Sequence, residues 1–166
     1  MYIRDYLHSR HVWFETLLHP PVPSATKLAR VVHVPGQSVA KGVLVRAEGN
    51  YALAVLPATA RIDLGRMAQI LSARAVEIAS EDEVQLLFGG DCERGALPPF
   101  GRLYGLTTFV DASLAGGSEI IFAGNTRHEG MRMRYRDYVE VEDPIRARFA
   151  ATTSPKKTRP THRRAG

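Results

Sequence analysis

The sequence predicts a single α+β domain with a central mixed, largely antiparallel sheet flanked by helices. Three observations lead there. Strand-like and helix-like stretches are interleaved along the 166 residues without a strict strand–helix–strand alternation. The clearest strand pair, Val39–Ala47 and Tyr51–Leu56, is joined through Glu48-Gly49-Asn50, a hairpin signature that makes the two strands antiparallel. The length suits one hydrophobic core.

The elements follow in chain order. Ile3–Ser9 reads as a short helix. His11–Leu18 alternates Val12, Phe14 and Thr16 and reads as a strand. His19-Pro20-Pro21-Val22-Pro23 is a rigid connector, because proline fixes φ and restrains its predecessor. Ser24 is placed to cap a helix over Ala25–His33, and Pro35-Gly36 then turns the chain. After the hairpin, Ile62–Leu71 has helical periodicity and Ala75–Ile78 is a short strand. Ser80 and Glu83 have capping-box spacing and open a helix to Phe88, which Gly89-Gly90 ends. A Gly-, Pro- and charge-rich loop covers Asp91–Gly105. Leu106–Val110, Glu119–Phe122 and Met131–Tyr135 read as strands, and Tyr138–Val141 as a closing short helix or strand.

Composition narrows the function classes. The chain is 45% hydrophobic and 23% charged, an ordinary globular balance that excludes disorder throughout. No apolar stretch approaches the ~18 residues of a membrane span. The start, Met1-Tyr2-Ile3-Arg4-Asp5, carries no secretory pattern, and Cys92 is the sole cysteine, so a cytoplasmic location is expected, with no disulfide and no cysteine-based metal site. The net charge of +5 resides in Ala151–Gly166, whose removal leaves 17 basic and 17 acidic residues. The expected division is thus a domain over 1–150 and a flexible basic tail over 151–166. That tail is either an arm for a polyanion or a solvated end.

Three places carry chemistry. Lys41 shares a strand face with Val39, Val43 and Val45, where an ammonium either snorkels to water or holds a phosphate or carboxylate at a pocket rim. The loop Gly95-Ala96-Leu97-Pro98-Pro99-Phe100-Gly101 has glycines that permit close approach and prolines that stiffen it. It is either a rigid connector or a frame that aims backbone N–H groups at one point, as an oxyanion site requires. The third, Phe122–His128, runs from a strand end into a turn and includes Gly124, Asn125 and His128, an acid–base candidate or a surface histidine. A serine-hydrolase elbow, a His-Glu-x-x-His pair and a phosphate-binding Gly-x-x-x-x-Gly-Lys loop are all missing. Cys92 lies between Asp91 and Glu93, which raise its pKa, the wrong direction for a nucleophile.

Taken in order, the motifs resemble the YbaK/EbsC family of aminoacyl-tRNA deacylases, which includes the editing domain inserted in bacterial prolyl-tRNA synthetases. The likeness runs from Ser24 to Asp143. It rests on Val39-Ala40-Lys41, Tyr51–Ala58 with Ile62-Asp63-Leu64, Ala79–Glu83, the Gly-x-x-x-Pro loop Gly95–Pro99 continuing to Phe100-Gly101, Val110-Asp111 and Phe122-Ala123-Gly124. The resemblance implies a YbaK-like fold and hydrolysis of the ester joining a wrong amino acid to tRNA. It implies no cofactor and no metal. Lys41, Gly95, Pro99 and Gly101 would carry the reaction, with Gly42, Ala96, Leu97, Pro98, Phe100, Gly124, Asn125 and His128 around the substrate. In the family the lysine helps hold the terminal adenosine and its phosphate, the loop addresses the scissile carbonyl, and water attacks with help from the substrate's ribose hydroxyl. Members often have Thr, Ser or Asn after the lysine, where this chain has Gly42.

The leading expectation is a free-standing trans-editing deacylase. Its partners would be the 3′ end and acceptor stem of aminoacyl-tRNA and an aminoacyl-tRNA synthetase, with no membrane. The alternatives are a non-catalytic member that binds a tRNA end, a nucleotide or a protein, and a hydrolase of some other small ester or amide.

Overall fold

The computed structural model describes residues 1–152. Helix α1 (Ile3–Ser9) buries Ile3 and Leu7, one turn apart. It ends in a left-handed turn at His11 (φ 55°), with the Val12 N–H returning to the Leu7 carbonyl at 3.2 Å. This stop consumes the first residues of the expected strand, so β1 covers only Glu15–Leu18. Helix α2 (Ala25–Val31) is capped as expected, Ser24 Oγ accepting the Lys27 N–H at 3.3 Å. It stops two residues short of the expected end, because His33 turns left-handed (φ 57°) and the Val34 N–H closes on the Ala29 carbonyl at 3.0 Å.

Strands β2 (Ala40–Ala47) and β3 (Asn50–Pro57) form the expected hairpin. Ala47 pairs Asn50, and Glu48 and Gly49 have φ of 50° and 81°, the two positive values that let a two-residue turn follow the strand twist. Next comes β4 (Ala60–Ile62), whose last residue is the expected start of a helix. Helix α3 (Leu64–Ile70) begins only after Asp63, whose carboxylate caps the Arg66 N–H at 3.1 Å. Beyond β5 (Glu77–Ile78), α4 (Glu81–Phe88) opens with both bonds of the Ser80–Glu83 capping box. Strands β6 (Thr107–Asp111), β7 (Glu119–Ala123) and β8 (Glu129–Arg134) lead into α5 (Tyr135–Glu142), which is a helix. Strands β9 (Ile145–Ala147) and β10 (Ala150–Thr152) complete the described residues.

The central sheet has the order β5-β2-β3-β6-β9, with β3–β6 and β6–β9 parallel and the rest antiparallel. A second, antiparallel sheet has the order β1-β8-β7, and a single bridge between Val39 and Ile121 links it to the first. Strand β3 is buried on both faces, as a central strand must be. Its Leu53 and Val55 face Phe100, Phe122 and Met131; its Ala54 and Leu56 face Met67, Phe109 and Phe149.

Paired structure continues two residues past the expected boundary at 150. Strand β10 pairs Ala151 with Arg61 and Thr152 with Ala60. The remainder of the basic tail, 153–166, lies outside the described residues. Among the described residues no helix is long and apolar enough to cross a membrane.

Candidate functional site

Strand β2 has a ladder partner on its β5 side only at Val45 and Arg46, and the bridge to β7 lies at Val39. Between them its edge opens onto a cleft of about 260 Å³. Ala40–Leu44 form the floor. Pro23, Ser24 and Ala25 close one end, Ile78, Ala79, Glu81 and Val84 the other, and Gly95, Leu97 and Ala123 stand above. The Leu44 carbonyl turns outward to the Ala79 N–H (2.9 Å), whereas the Val39 carbonyl turns inward to the Ala58 N–H (2.8 Å). By that alternation Gly42 directs its N–H and C=O away from β3, toward the cleft.

Lys41 and Gly42 point to opposite faces of β2, as the sequence implies. Lys41 is half-buried at one rim, with its ammonium donating to the Ala58 carbonyl at 3.3 Å. Burial lowers its pKa below the usual lysine value, and the nearby Arg61 cation lowers it further. No carboxylate hydrogen-bonds or ion-pairs with it among the described residues, so its charge is not neutralised there.

The other wall is the Gly95–Gly101 loop. Gly95 has φ 81°, and a β-carbon there would lie 2.3 Å from the Pro23 carbonyl oxygen. Only glycine permits both the dihedral and the approach. Glu93 holds the loop's first foot: its N–H donates to the Asn125 carbonyl (2.8 Å), its carboxylate accepts from the Arg127 N–H (2.6 Å), and its carbonyl accepts from the Ala96 N–H (3.0 Å). The N–H groups of Gly95 and Leu97 have no hydrogen-bond partner among the described residues. Both residues line the cleft.

Of the residues singled out from sequence, Lys41, Gly42, Gly95 and Leu97 meet in the cleft. The others do not line it. Ala96 and Phe100 are fully buried, Phe100 stacking edge-on against Tyr6, Phe122 and Tyr138, so it is a core ring and not a substrate contact. Pro98 is buried against Gly42, and its carbonyl accepts the Phe100 N–H at 2.9 Å. The Pro99 carbonyl accepts from Tyr138, and the Gly101 N–H donates to Thr108 Oγ1 at 3.0 Å, so neither group is free to meet a substrate. Gly124 is buried behind Ala123, pressed against Met131. Asn125 is also fully buried; its side chain accepts the Ile3 N–H (2.8 Å) and donates to Tyr104 (3.2 Å), which makes it a structural tie. His128 is exposed outside the cleft.

Ala79, Glu81 and Ala123 lie in stretches that carry the resemblance but were not singled out as site residues, and Val84 carries no local signal; tertiary packing brings all four to the cleft. Ser24 was legible as a helix cap, not as a cleft residue. A larger groove of about 510 Å³ runs beside Trp13, Asp137 and Glu140, and it contains none of the residues that carry the resemblance. Cys92 is buried and its pKa is pushed up to about 12, by burial first and then by Glu93 and Asp91, so it is no nucleophile. Among the described residues no three His, Cys, Asp or Glu side chains are grouped to hold a metal.

Comparisons with known proteins bear on the fold and the family. Proline–tRNA ligase 1 of Streptomyces avermitilis is 29% identical over 137 residues, which are 80% of this chain but only 23% of the ligase. The hypothetical protein APE2540 superposes with a TM-score of 0.82 at 19% identity, over 90% of this chain and 99% of that one. A solved structure described as a proposed trans-editing enzyme for prolyl tRNA synthetase gives a TM-score of 0.79 at 22% identity, over 90% of this chain and 94% of that one. These two likenesses establish a shared fold. The sequence profile of the aminoacyl-tRNA editing domain matches residues 19–141, which is most of the chain and takes in the cleft, and the chain belongs to that family.

Proposed function

We propose that the cleft hydrolyses the ester between an amino acid and the terminal ribose of tRNA. The observation that carries this reading is the pairing of the Lys41 ammonium on one rim with the unpartnered N–H groups of Gly95 and Leu97 on the other. Lys41 holds the terminal nucleotide through its phosphate. The two N–H groups receive the negative charge that forms on the carbonyl oxygen as water adds. The tetrahedral intermediate then collapses, with the acid released and the ribose oxygen taking a proton. The substrate's neighbouring ribose hydroxyl assists the water, so the protein need supply no nucleophile. Most of the rate derives from positioning. The cleft's volume, about 260 Å³, is small for a ligand site and suits an aminoacyl end with a compact side chain. Action in trans is supported by the likeness to the structure described as a proposed trans-editing enzyme.

The test is a deacylation panel. The protein meets tRNAs carrying alanine, serine, threonine, cysteine or proline, with Lys41→Ala beside it. Loss of one or two esters that depends on Lys41 supports the reading. Decay of every ester at its spontaneous rate overturns it in favour of a binding role, which tRNA retention on the protein then measures.

A further inference from the structure

The C-terminal foot of the cleft loop is fastened by groups outside the cleft. Tyr138 and Glu142 stand one turn apart on α5 and so share a face. Tyr138, fully buried, donates its hydroxyl to the Pro99 carbonyl at 3.0 Å. Glu142 is 2% exposed, and its Oε1 accepts from the Arg102 N–H at 3.0 Å and from the Thr108 hydroxyl. Thr108 Oγ1 in turn accepts the Gly101 N–H at 3.0 Å. Three successive peptide groups, at Pro99, Gly101 and Arg102, are therefore tied to one helix face and one strand. A β-carbon on Gly101 would lie 2.4 Å from Thr108 Oγ1, so the loop sits on this support at the closest distance a backbone allows. Glu142 Oε2 has no hydrogen-bond partner among the described residues, although it is buried. A core built only for stability has no use for a buried carboxyl with an idle oxygen, since apolar residues of the same shape serve as well or better. What the carboxyl supplies, and an apolar residue cannot, is an acceptor shared by two elements.

We propose that Glu142, Thr108 and Tyr138 are positioning residues that fix the loop at Pro99–Arg102 and thereby set Leu97 and the Pro98 carbonyl against β2, opposite Lys41. The role rests on the deacylase reading for its effect on rate, and on geometry alone for its effect on the loop. Buried in this way, the carboxyl has its pKa pushed above the usual glutamate value, against the lowering by Thr108 and the Arg102 and Gly101 amides. A carboxamide keeps an acceptor oxygen at the position of Oε1, so Glu142→Gln is the conservative replacement.

The experiment compares Glu142→Ala, Glu142→Gln and Tyr138→Phe, each assayed well below its melting temperature. Steady-state deacylation gives kcat and KM, and hydrogen exchange with peptide mapping follows residues 96–102 in the absence of tRNA. Exchange in that peptide rises for Glu142→Ala and Tyr138→Phe, while kcat falls roughly tenfold, the size of one lost hydrogen bond, and KM for tRNA changes less. Glu142→Gln restores most of both losses. Faster loop exchange with unaltered kcat overturns the positioning role, and unaltered exchange overturns the clamp itself. If the wild-type protein hydrolyses no ester, the deacylase reading falls, and the exchange arm still judges the clamp.

Discussion

The carbonyl oxygen of Pro98 lies 3.5 Å from the point a β-carbon on Gly42 would occupy, and Leu53 Cδ1 lies 3.2 Å from it. A β-carbon there would be in ordinary contact with the loop and tight only against Leu53, so the loop packs directly over position 42 and a branched side chain would press on it. The resemblance leads one to expect Thr, Ser or Asn at this position; Gly42 leaves it without a side chain beneath the loop.

Gly42→Val therefore overpacks this contact. It is expected to lower stability by about 1–3 kcal/mol. It also lifts Leu97 from the cleft wall, so kcat/KM falls. Chemical denaturation and the deacylation assay check the two effects.

Lys41→Ala removes the rim cation and little core volume. A hydrogen bond to a charged group is worth about 1.5–3 kcal/mol, so kcat/KM is expected to fall roughly ten- to hundred-fold with an unchanged far-ultraviolet spectrum. Because the Lys41 pKa is lowered, its charge is lost at a pH below the usual lysine value of 10.5. Activity in the wild type should decline as pH rises through that lowered value. A pH–rate profile that keeps the same alkaline limb in Lys41→Ala would assign the limb elsewhere.

Gly95→Ala places a methyl against the Pro23 carbonyl at a positive φ. Strain of roughly 1–3 kcal/mol is expected. Pro23 and Gly95 both line the cleft, so the melting temperature and kcat/KM should fall together.

Asp111 is buried and accepts from the N–H groups of Phe149 (2.8 Å), Ala150 (2.8 Å) and Ser113 (3.0 Å) and from the Ser113 hydroxyl. Burial alone would raise its pKa, but these bonds hold it below the usual 3.8. The stability this gives is present above pH 3.8 and is lost as pH falls through the lowered value. Asp111→Ala strands several amides and should cost about 3 kcal/mol at neutral pH. The gap between the variant and the wild type should narrow in acid, as thermal melts across pH will show.

Glu142 has the opposite sign. Its pKa is raised, so the folded state holds a proton more tightly than the unfolded chain, and stability falls as pH rises from 4.5 through the raised value. Arg102 and Tyr138 are the ionisable groups that act on it or feel it. Glu142→Gln should lack that part of the pH dependence, which the same melts measure.

Local chemistry made much of the fold legible. The Glu48-Gly49 turn, the Ser24 cap and the Ser80–Glu83 box each depend on residues adjacent in sequence, and each forms as read. Strand β4 did not show, because its partner β10 lies some ninety residues later and three residues hold no periodicity. The site divides the same way. Lys41 and Gly95 announce themselves through a charge among valines and a glycine that must bend. Phe100, Asn125, Pro99 and Gly101 belong to the same motifs but serve the interior. A motif marks the whole stretch that shapes a cleft, and only the alternation of side chains and of peptide groups decides which members face the ligand.

The cleft draws its walls from residues 23–25, 40–44, 78, 79, 81, 84, 95, 97 and 123, which lie far apart in the chain. No fragment of the protein owns it. An occupant that touches all of these segments binds the native state and not the unfolded one, and at a hundred times its dissociation constant it raises stability by about 2.7 kcal/mol. Under the proposed function, the tRNA end that shifts the melting curve most identifies the preferred occupant, whether or not a bond is cut.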